Sequence, residues 1–372
     1  MTALEGIEAA RQALRRIARR AIVAAGCAAA VFASTAQACP VCAPSNALTP
    51  AQVLINADRA VLVRPESGTG GVRVESIIKG SGTPGELLDL RVQRADGARV
   101  QADRPILMVR DELSRNWSVL GDVDASSAPL LRGFSQLKRS AEMSPADWQE
   151  RVGRFVPLLE HPEPLVAEAA YGEVARSPYA AMRANRKALD ATRLARWTET
   201  PELASRRPLY LLLLGLAGGP TDAQRIEQQL ATRAPTADRS DLPALVAADI
   251  ELRGPSRLST IESQWLMNPN RSVADIQSVL VALSVHGTDA GTVSRERIIE
   301  TYLRFIKARP PLGGLVAQDL ASWQVWDATP MYIASIDNPQ APIASRVAMA
   351  NYLRVSPHPQ ARAAVEQATR IR

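Results

Sequence analysis

Leu209–Leu230 reads LYLLLLGLAGGPTDAQRIEQQL, and the same pattern returns at Ala244–Leu266 (ALVAADIELRGPSRLSTIESQWL) and Ser278–Leu303 (SVLVALSVHGTDAGTVSRERIIETYL). Each copy is an apolar run, a Gly-containing break and an amphipathic run that ends on Leu. Gly219 to Gly254 is 35 residues and Gly254 to Gly287 is 33, a spacing expected of stacked helical hairpins. One hairpin cannot bury its apolar face alone, whereas a stack of them makes a continuous core. The most apolar run, Leu209–Leu216, is far too short to cross a bilayer and is expected as a buried inner helix.

If the first helices are core, the second helices carry the surface, and in stacked hairpins such helices commonly line a concave binding face. That face would present Arg225, Gln228, Gln229, Glu262, Arg297, Glu300 and Arg304. Both charge signs are mixed along it, which favours a protein or peptide partner over a polyanion.

Helical periodicity extends beyond the three copies, from Ser144 to Arg372. Ser144 suits an N-cap, Pro145 the first helical position and Asp147 the negative charge of a first turn. His161–Val174 (HPEPLVAEAAYGEV) resembles the HEAT-repeat signature, a Pro turn followed by a helix with small residues where helices pack closely. Asp337–Leu353 is a second match, and together with the central hairpins the resemblance implies five to six repeat units over residues 144–372.

Between Gln52 and Val123 the period changes. Ala60–Arg64, Gly71–Ile78, Leu87–Gln93, Ile106–Arg110 and Trp117–Val123 are short, β-branched and partly alternating, with Gly and Pro between them. Five such strands predict a small antiparallel barrel or sandwich over residues 51–125. The Gly80–Gly85 run (GSGTPG) lacks the Gly-Lys-Ser/Thr ending of a phosphate loop and reads as a hairpin connection. Residues 126–143 read as a polar linker to the helical body.

The chain opens with Arg11, Arg15, Arg16, Arg19 and Arg20, an apolar run Ala21–Ser34, and Ala36-Gln37-Ala38. Basic head, apolar core and small-residue site in that order predict a signal peptide over residues 1–38, with cleavage between Ala38 and Cys39 and a periplasmic or secreted product. Five Arg and two Glu leave with that leader, so a formal charge of +6 becomes +3. No dense basic run follows it, and nucleic acid is not an expected partner.

The cleaved chain would begin Cys39-Pro40-Val41-Cys42, with no other cysteine after it. In an oxidising compartment the pair is expected to close a disulfide. A thioredoxin-like redox role wants the pair after a strand and at a helix N-terminus, and lipidation of Cys39 wants a Leu that is missing from the preceding residues. Zinc would need four ligands, and two thiolates with three scattered histidines fall short.

The pair at residues 39–42, then Ala57–Val63 (ADRAVLV), then Val74–Gly80 (VESIIKG), resembles the netrin-like, tissue-inhibitor-type OB barrel. That resemblance implies a Cys39 whose amine and carbonyl chelate a protease zinc. As a whole the chain resembles bacterial secreted proteins that join an N-terminal Cys-Pro-x-Cys to HEAT-like repeats.

No Ser-His-Asp set, metal-binding His pair or phosphate loop is legible, and no cofactor is expected. His161 and His358 sit beside Pro in turns, and His286 precedes the Gly287 break, so all three read as turn or cap residues. Trp323 and Trp326 are spaced to share a helical face. The reading is an α+β chain: a Cys-Pro-Val-Cys segment (39–50), a small OB-like β domain (51–125), a linker (126–143) and a HEAT-like α-solenoid (144–372). Its expected role is that of an exported, non-enzymatic protein-binding or scaffold protein. The alternatives are an inhibitor or metal chelator acting through Cys39, and a thiol-disulfide protein using Cys39 and Cys42.

Overall fold

The structure is a computed structural model that describes residues 39–42, 48–66, 71–90, 104–233, 238–288 and 291–370. The expected leader and the Ala38 side of its cleavage site lie outside these residues. Those described belong to one compact unit, Ala38–Arg372.

The chain enters its first helix, α1 (Pro50–Asn56), through a capping box. Thr49 Oγ1 accepts from Gln52 N at 3.1 Å, and the Gln52 side chain accepts from Thr49 N in return. Five strands follow: β1 (Ala57–Pro65), β2 (Val72–Lys79), β3 (Leu87–Leu88), β4 (Ile106–Asp111) and β5 (Trp117–Asp122). They pair antiparallel in the order β3-β2-β1-β4-β5. All five expected strands are present in sequence order, and residues 91–93 of the third lie outside the described ones.

β1 is buried without alternation because both of its faces are covered. Ala60 and Leu62 join the main core with Ile78, Leu107 and Val109. Val61 and Val63 instead join a smaller cluster with Val72, Val74, Ile106 and Met108 on the other face. Lys79 ties the sheet to α1 by donating from Nζ to the carbonyls of Leu54 and Ile55, at 3.0 and 2.7 Å, which satisfies orphan acceptors near that helix's C-terminus.

Residues 126–143, expected as a polar linker, contain α2 (Ala128–Ser135), whose Leu131 and Phe134 are fully buried. Phe134 packs against Phe155 with ring centroids 4.9 Å apart. The main core therefore runs without interruption from Cys39 through the sheet and α2 to Val365 in the last helix.

The helical body comprises α3 (Pro145–Phe155), α4 (Pro164–Ala175), α5 (Tyr179–Ala184), α6 (Ala191–Glu199), α7 (Arg207–Ala217), α8 (Pro220–Ala231), α9 (Leu242–Arg253), α10 (Arg257–Ile261), α11 (Val273–Thr288), α12 (Arg295–Ala308), α13 (Ala317–Ser322), α14 (Thr329–Ser335), α15 (Ile343–Val355) and α16 (Ala361–Arg370). Ser144 caps α3 ahead of Pro145 as expected, and Asp147 completes a capping box with it.

The three sequence copies are α7–α8, α9–α10 and α11–α12. Their apolar helices stack directly, α9 lying between α7 and α11. Leu209 to Gly215 are all buried, as expected of an inner helix. The stack is close: a Cβ added at Gly215 would lie 2.7 Å from Ala248 Cα on α9. α9 ends on Gly254 at φ +75, a left-handed position that favours glycine.

The third break is displaced. α11 runs through Gly287 to Thr288, so Gly287 is a packing position, where the indole of Trp323 occupies the space a Cβ would need. Trp323 and Trp326 share no helix either: α13 stops at Ser322, and both lie in the turn beyond it. Trp323 stacks on Tyr302 at 5.7 Å, whereas Trp326 packs against Tyr352 at 5.2 Å.

Candidate functional site

The amphipathic helices α8, α10 and α12 lie against the inner helices and bring most of the expected surface residues out to one polar layer. Charge pairs tie each hairpin to the next. Glu227 on α8 accepts from Arg253 Nη2 at 2.6 Å and from Arg257 Nη1 at 3.1 Å. Both arginines also hold Asp249, which has no exposed surface; burial pushes its carboxyl above the ordinary aspartate value against the pull of those two guanidinium groups.

Glu262, just past α10, is the hub of the next junction. It accepts from Thr301 Oγ1 at 2.6 Å and from Arg304 at 2.6 and 3.1 Å, with Arg297 at 3.7 Å. Arg297 and Arg304 also flank Glu300, at 2.7 and 3.8 Å. Burial opposes the Glu262 charge, but the hydrogen bonds from Arg304 and Thr301 outweigh it and hold the carboxyl below the usual range.

Four of the seven expected surface residues, Glu262, Arg297, Glu300 and Arg304, are thus one mutually paired cluster. At the other end Arg225 lies 3.4 Å from Glu199 and 3.8 Å from Asp222, in a cleft of 340 Å3 between α6 and α8. Gln229 lines an adjoining cleft of 450 Å3 with Arg207, Arg233 and Asp241. Gln228 is exposed on α8.

The cysteine pair differs from its expected form. Cys39 and Cys42 are free thiols, joined by no disulfide, and only 2% and 4% exposed. A turn brings them together, with Cys42 N donating to Cys39 O at 3.2 Å. The hydrogen bond between the two side chains, then burial, pushes the Cys42 thiol well up. Burial of this kind suppresses the thiolate that nucleophilic exchange requires. The Cys39 carbonyl is already engaged, and its side chain is enclosed. Cys42 adds to the burial that raises Tyr171 to about 12, and Cys39 adds to the rise at Tyr179.

The three histidines divide into two kinds. His161 and His358 do the same local job, their Nδ1 atoms accepting from the backbone N–H two residues on, at 3.0 and 3.3 Å. His286 was expected as a turn residue and is instead fully buried within α11. Its Nε2 lies 3.1 Å from Ala247 O, so that nitrogen carries the proton, and its Nδ1 is 3.8 Å from Glu251 Oε2. Burial lowers its basicity despite the nearby carboxylate.

Glu251 collects the rest of that cluster, accepting from Tyr179 Oη at 3.1 Å and Arg183 Nε at 3.0 Å, while Arg183 Nη2 donates to Thr292 at 3.0 Å. These residues come from α5, α9, α11 and the approach to α12. No periodicity in the sequence joins them; the only signal was polar residues falling on helix faces that are otherwise apolar.

Among the described residues no group of three or more His, Cys, Asp or Glu is placed to hold a metal ion, and no helix is long and apolar enough to cross a membrane. No protein-family model, curated protein or solved structure matches the chain.

Proposed function

We propose that the chain is a non-enzymatic binding or scaffold protein, exported by its leader, that holds a protein or peptide partner on the outer layer of an α-solenoid. The observation that carries this reading is the junction between hairpins. Glu227 on α8 to Arg253 and Arg257 at the α9–α10 break, and Glu262 past α10 to Thr301 and Arg304 on α12, join successive units along their polar side. Repeat architectures build binding faces in this way, because each unit contacts only its neighbours and the surface grows with the stack.

Two features support an OB-like barrel for the β segment. Register shifts interrupt β1 against β2, β1 against β4 and β4 against β5, and such bulges bend a sheet. The bent sheet has its own apolar filling on the face turned away from the helices, as a small barrel interior does.

A thiol-disulfide or zinc-chelating role for Cys39 fits less well, because its carbonyl accepts from Cys42 N and both thiols are enclosed.

The test is site-specific photocrosslinking with benzoylphenylalanine at Gln228 and at Gln229, with exposed Leu113 in the β4–β5 turn as the control position. Crosslinks to one and the same exported protein from both α8 positions, and not from Leu113, are expected. Identical crosslinking from all three positions, or none from α8, overturns the reading.

A further inference from the structure

Many arginines of the helical body are committed to carboxylates, among them Arg151, Arg183, Arg206, Arg207, Arg225, Arg233, Arg239, Arg253, Arg257, Arg297 and Arg304. At one corner several cations gather without such partners. Arg186, Lys187, Arg193 and Arg196 are exposed within eleven residues, at the turn between α5 and α6 and along α6 itself. Among the described residues no carboxylate pairs with any of the four side chains. The acid in their midst, Asp190, caps α6 by accepting from Arg193 N at 3.0 Å, so its charge is spent on the helix N-terminus.

An apolar pocket opens in the same place. It has a volume of 180 Å3 and is lined chiefly by Val156, Leu159, Leu189, Leu194 and Trp197, with Arg193 at its edge. That is below the size of ordinary small-molecule sites, about 300–1,000 Å3, and close to an apolar cavity of about 150 Å3 that holds one benzene ring. The pocket therefore takes a single large apolar side chain.

Its rim is held in place. The Arg193 guanidinium stacks 4.9 Å from the Trp197 ring centre, and Trp197 packs on buried Tyr210 at 5.1 Å. A guanidinium held against an aromatic face has lost part of its freedom before a ligand arrives, and its remaining donors point at whatever acid approaches.

We infer that this corner is a docking site for an acidic peptide segment carrying one large apolar residue, the apolar residue entering the pocket and flanking carboxylates meeting Arg193, Arg196, Lys187 and Arg186. Charge complementarity selects the occupant: Arg193 lines the pocket, Arg186, Lys187 and Arg196 are exposed within seven residues of it in sequence, and the acid on the lining, Asp190, is committed to capping α6. The pocket argues for a peptide over a nucleic acid, whose polyanion would engage the cations and leave the apolar cavity empty. The inference rests on the reading of the chain as a binding protein and borders its α8 surface at Arg196, which shares a cleft with Arg225, while Gln228 and Gln229 take no part in it.

Selection from a displayed library of random dodecapeptides against the full chain tests it. Recovered peptides should be rich in Asp and Glu around one Leu, Phe or Trp. A labelled recovered peptide should lose at least about tenfold in affinity for the doubly charge-reversed chain R193E/R196E. It should lose a similar factor when its apolar residue is changed to Ser. A second variant, A188F, fills the pocket mouth without altering charge and should weaken binding while salt dependence persists. Thermal melting of each variant confirms that it folds. Recovery of peptides without acidic enrichment, unchanged affinity for R193E/R196E, or oligo-thymidylate competing as well as the peptide each overturns the assignment. Failure here with α8 crosslinking intact removes this site alone, whereas loss of α8 crosslinking removes the scaffold surface.

Discussion

Thr49 Oγ1 donates to Glu173 Oε1 at 3.0 Å, joining residues 124 apart in sequence. The same carboxylate accepts from Arg151 Nη1 at 3.0 Å, and the Arg151 and Glu173 side chains are 3% and 1% exposed. Thr49 begins the helix that leads into the sheet, and Glu173 lies on α4. Gly172 makes room for the contact, since the Thr49 methyl occupies the space of a Cβ there.

Removing Glu173 strands a buried guanidinium. Glu173→Ala is expected to cost about 3–5 kcal/mol, and Thr49→Val, which loses a cap and one hydrogen bond, about 1–2 kcal/mol. Urea unfolding of both variants measures this. A Glu173→Ala protein within about 1 kcal/mol of the parent would contradict the burial of the pair.

Gly215 offers a test of sign. Gly to Ala inside a helix ordinarily gains about 1 kcal/mol. Here the added Cβ would meet the backbone of Ala248 at 2.7 Å, and Gly215→Ala is expected to destabilise by about 1–3 kcal/mol instead. A gain in melting temperature would show that α7 and α9 are not in close contact.

His286 makes stability depend on pH. Burial lowers its folded pKa below the unfolded value, which is about 6.5. The unfolded chain then takes up a proton that the folded chain refuses. The stability is whole above about pH 6.5 and is lost as pH falls from there toward the folded pKa. Glu251, held below its ordinary value, adds its own loss only below about pH 4.5. Denaturant midpoints between pH 6.5 and 5 should fall less steeply for His286→Gln, whose amide can still donate to Ala247 O. Equal slopes for the two proteins would remove His286 as the cause.

The enclosed thiols predict slow chemistry. Modification of Cys39 and Cys42 by a thiol reagent, followed by peptide mass spectrometry, should proceed no faster than opening of the fold and should become rapid in denaturant. Labelling of the native protein at the rate of a free thiol would contradict their burial. A pair two hydrogens lighter and unreactive even in denaturant would be the disulfide.

The strands and the three hairpins were legible because each rests on local periodicity: alternation in Val72–Lys79, and the three- and four-residue spacing of apolar positions in α7 and α12. What escaped was the meaning of single residues whose partners are remote. Gly287 looks like a helix break by composition and is a notch for Trp323, 36 residues on. Residues 126–143 look polar by average, yet Leu131 and Phe134 are the two that matter. The expected surface residues lie outside the buried core, but no local pattern signals that Glu262 holds Arg297 and Arg304. The Tyr179–Arg183–Glu251–His286 cluster has no local pattern at all, since its members meet only after α5, α9 and α11 have packed.

The rungs from Glu227 to Arg257 and from Glu262 to Arg304 have a mechanical consequence. Under tension along the stack, a hairpin cannot slide past its neighbour on apolar contact alone, because an aligned guanidinium–carboxylate pair must part first. The polar side resists extension at short range and the apolar side yields more gradually, so the stack bends toward its outer layer more readily than it stretches. In high salt, where the exposed members of these pairs are screened, that asymmetry should soften.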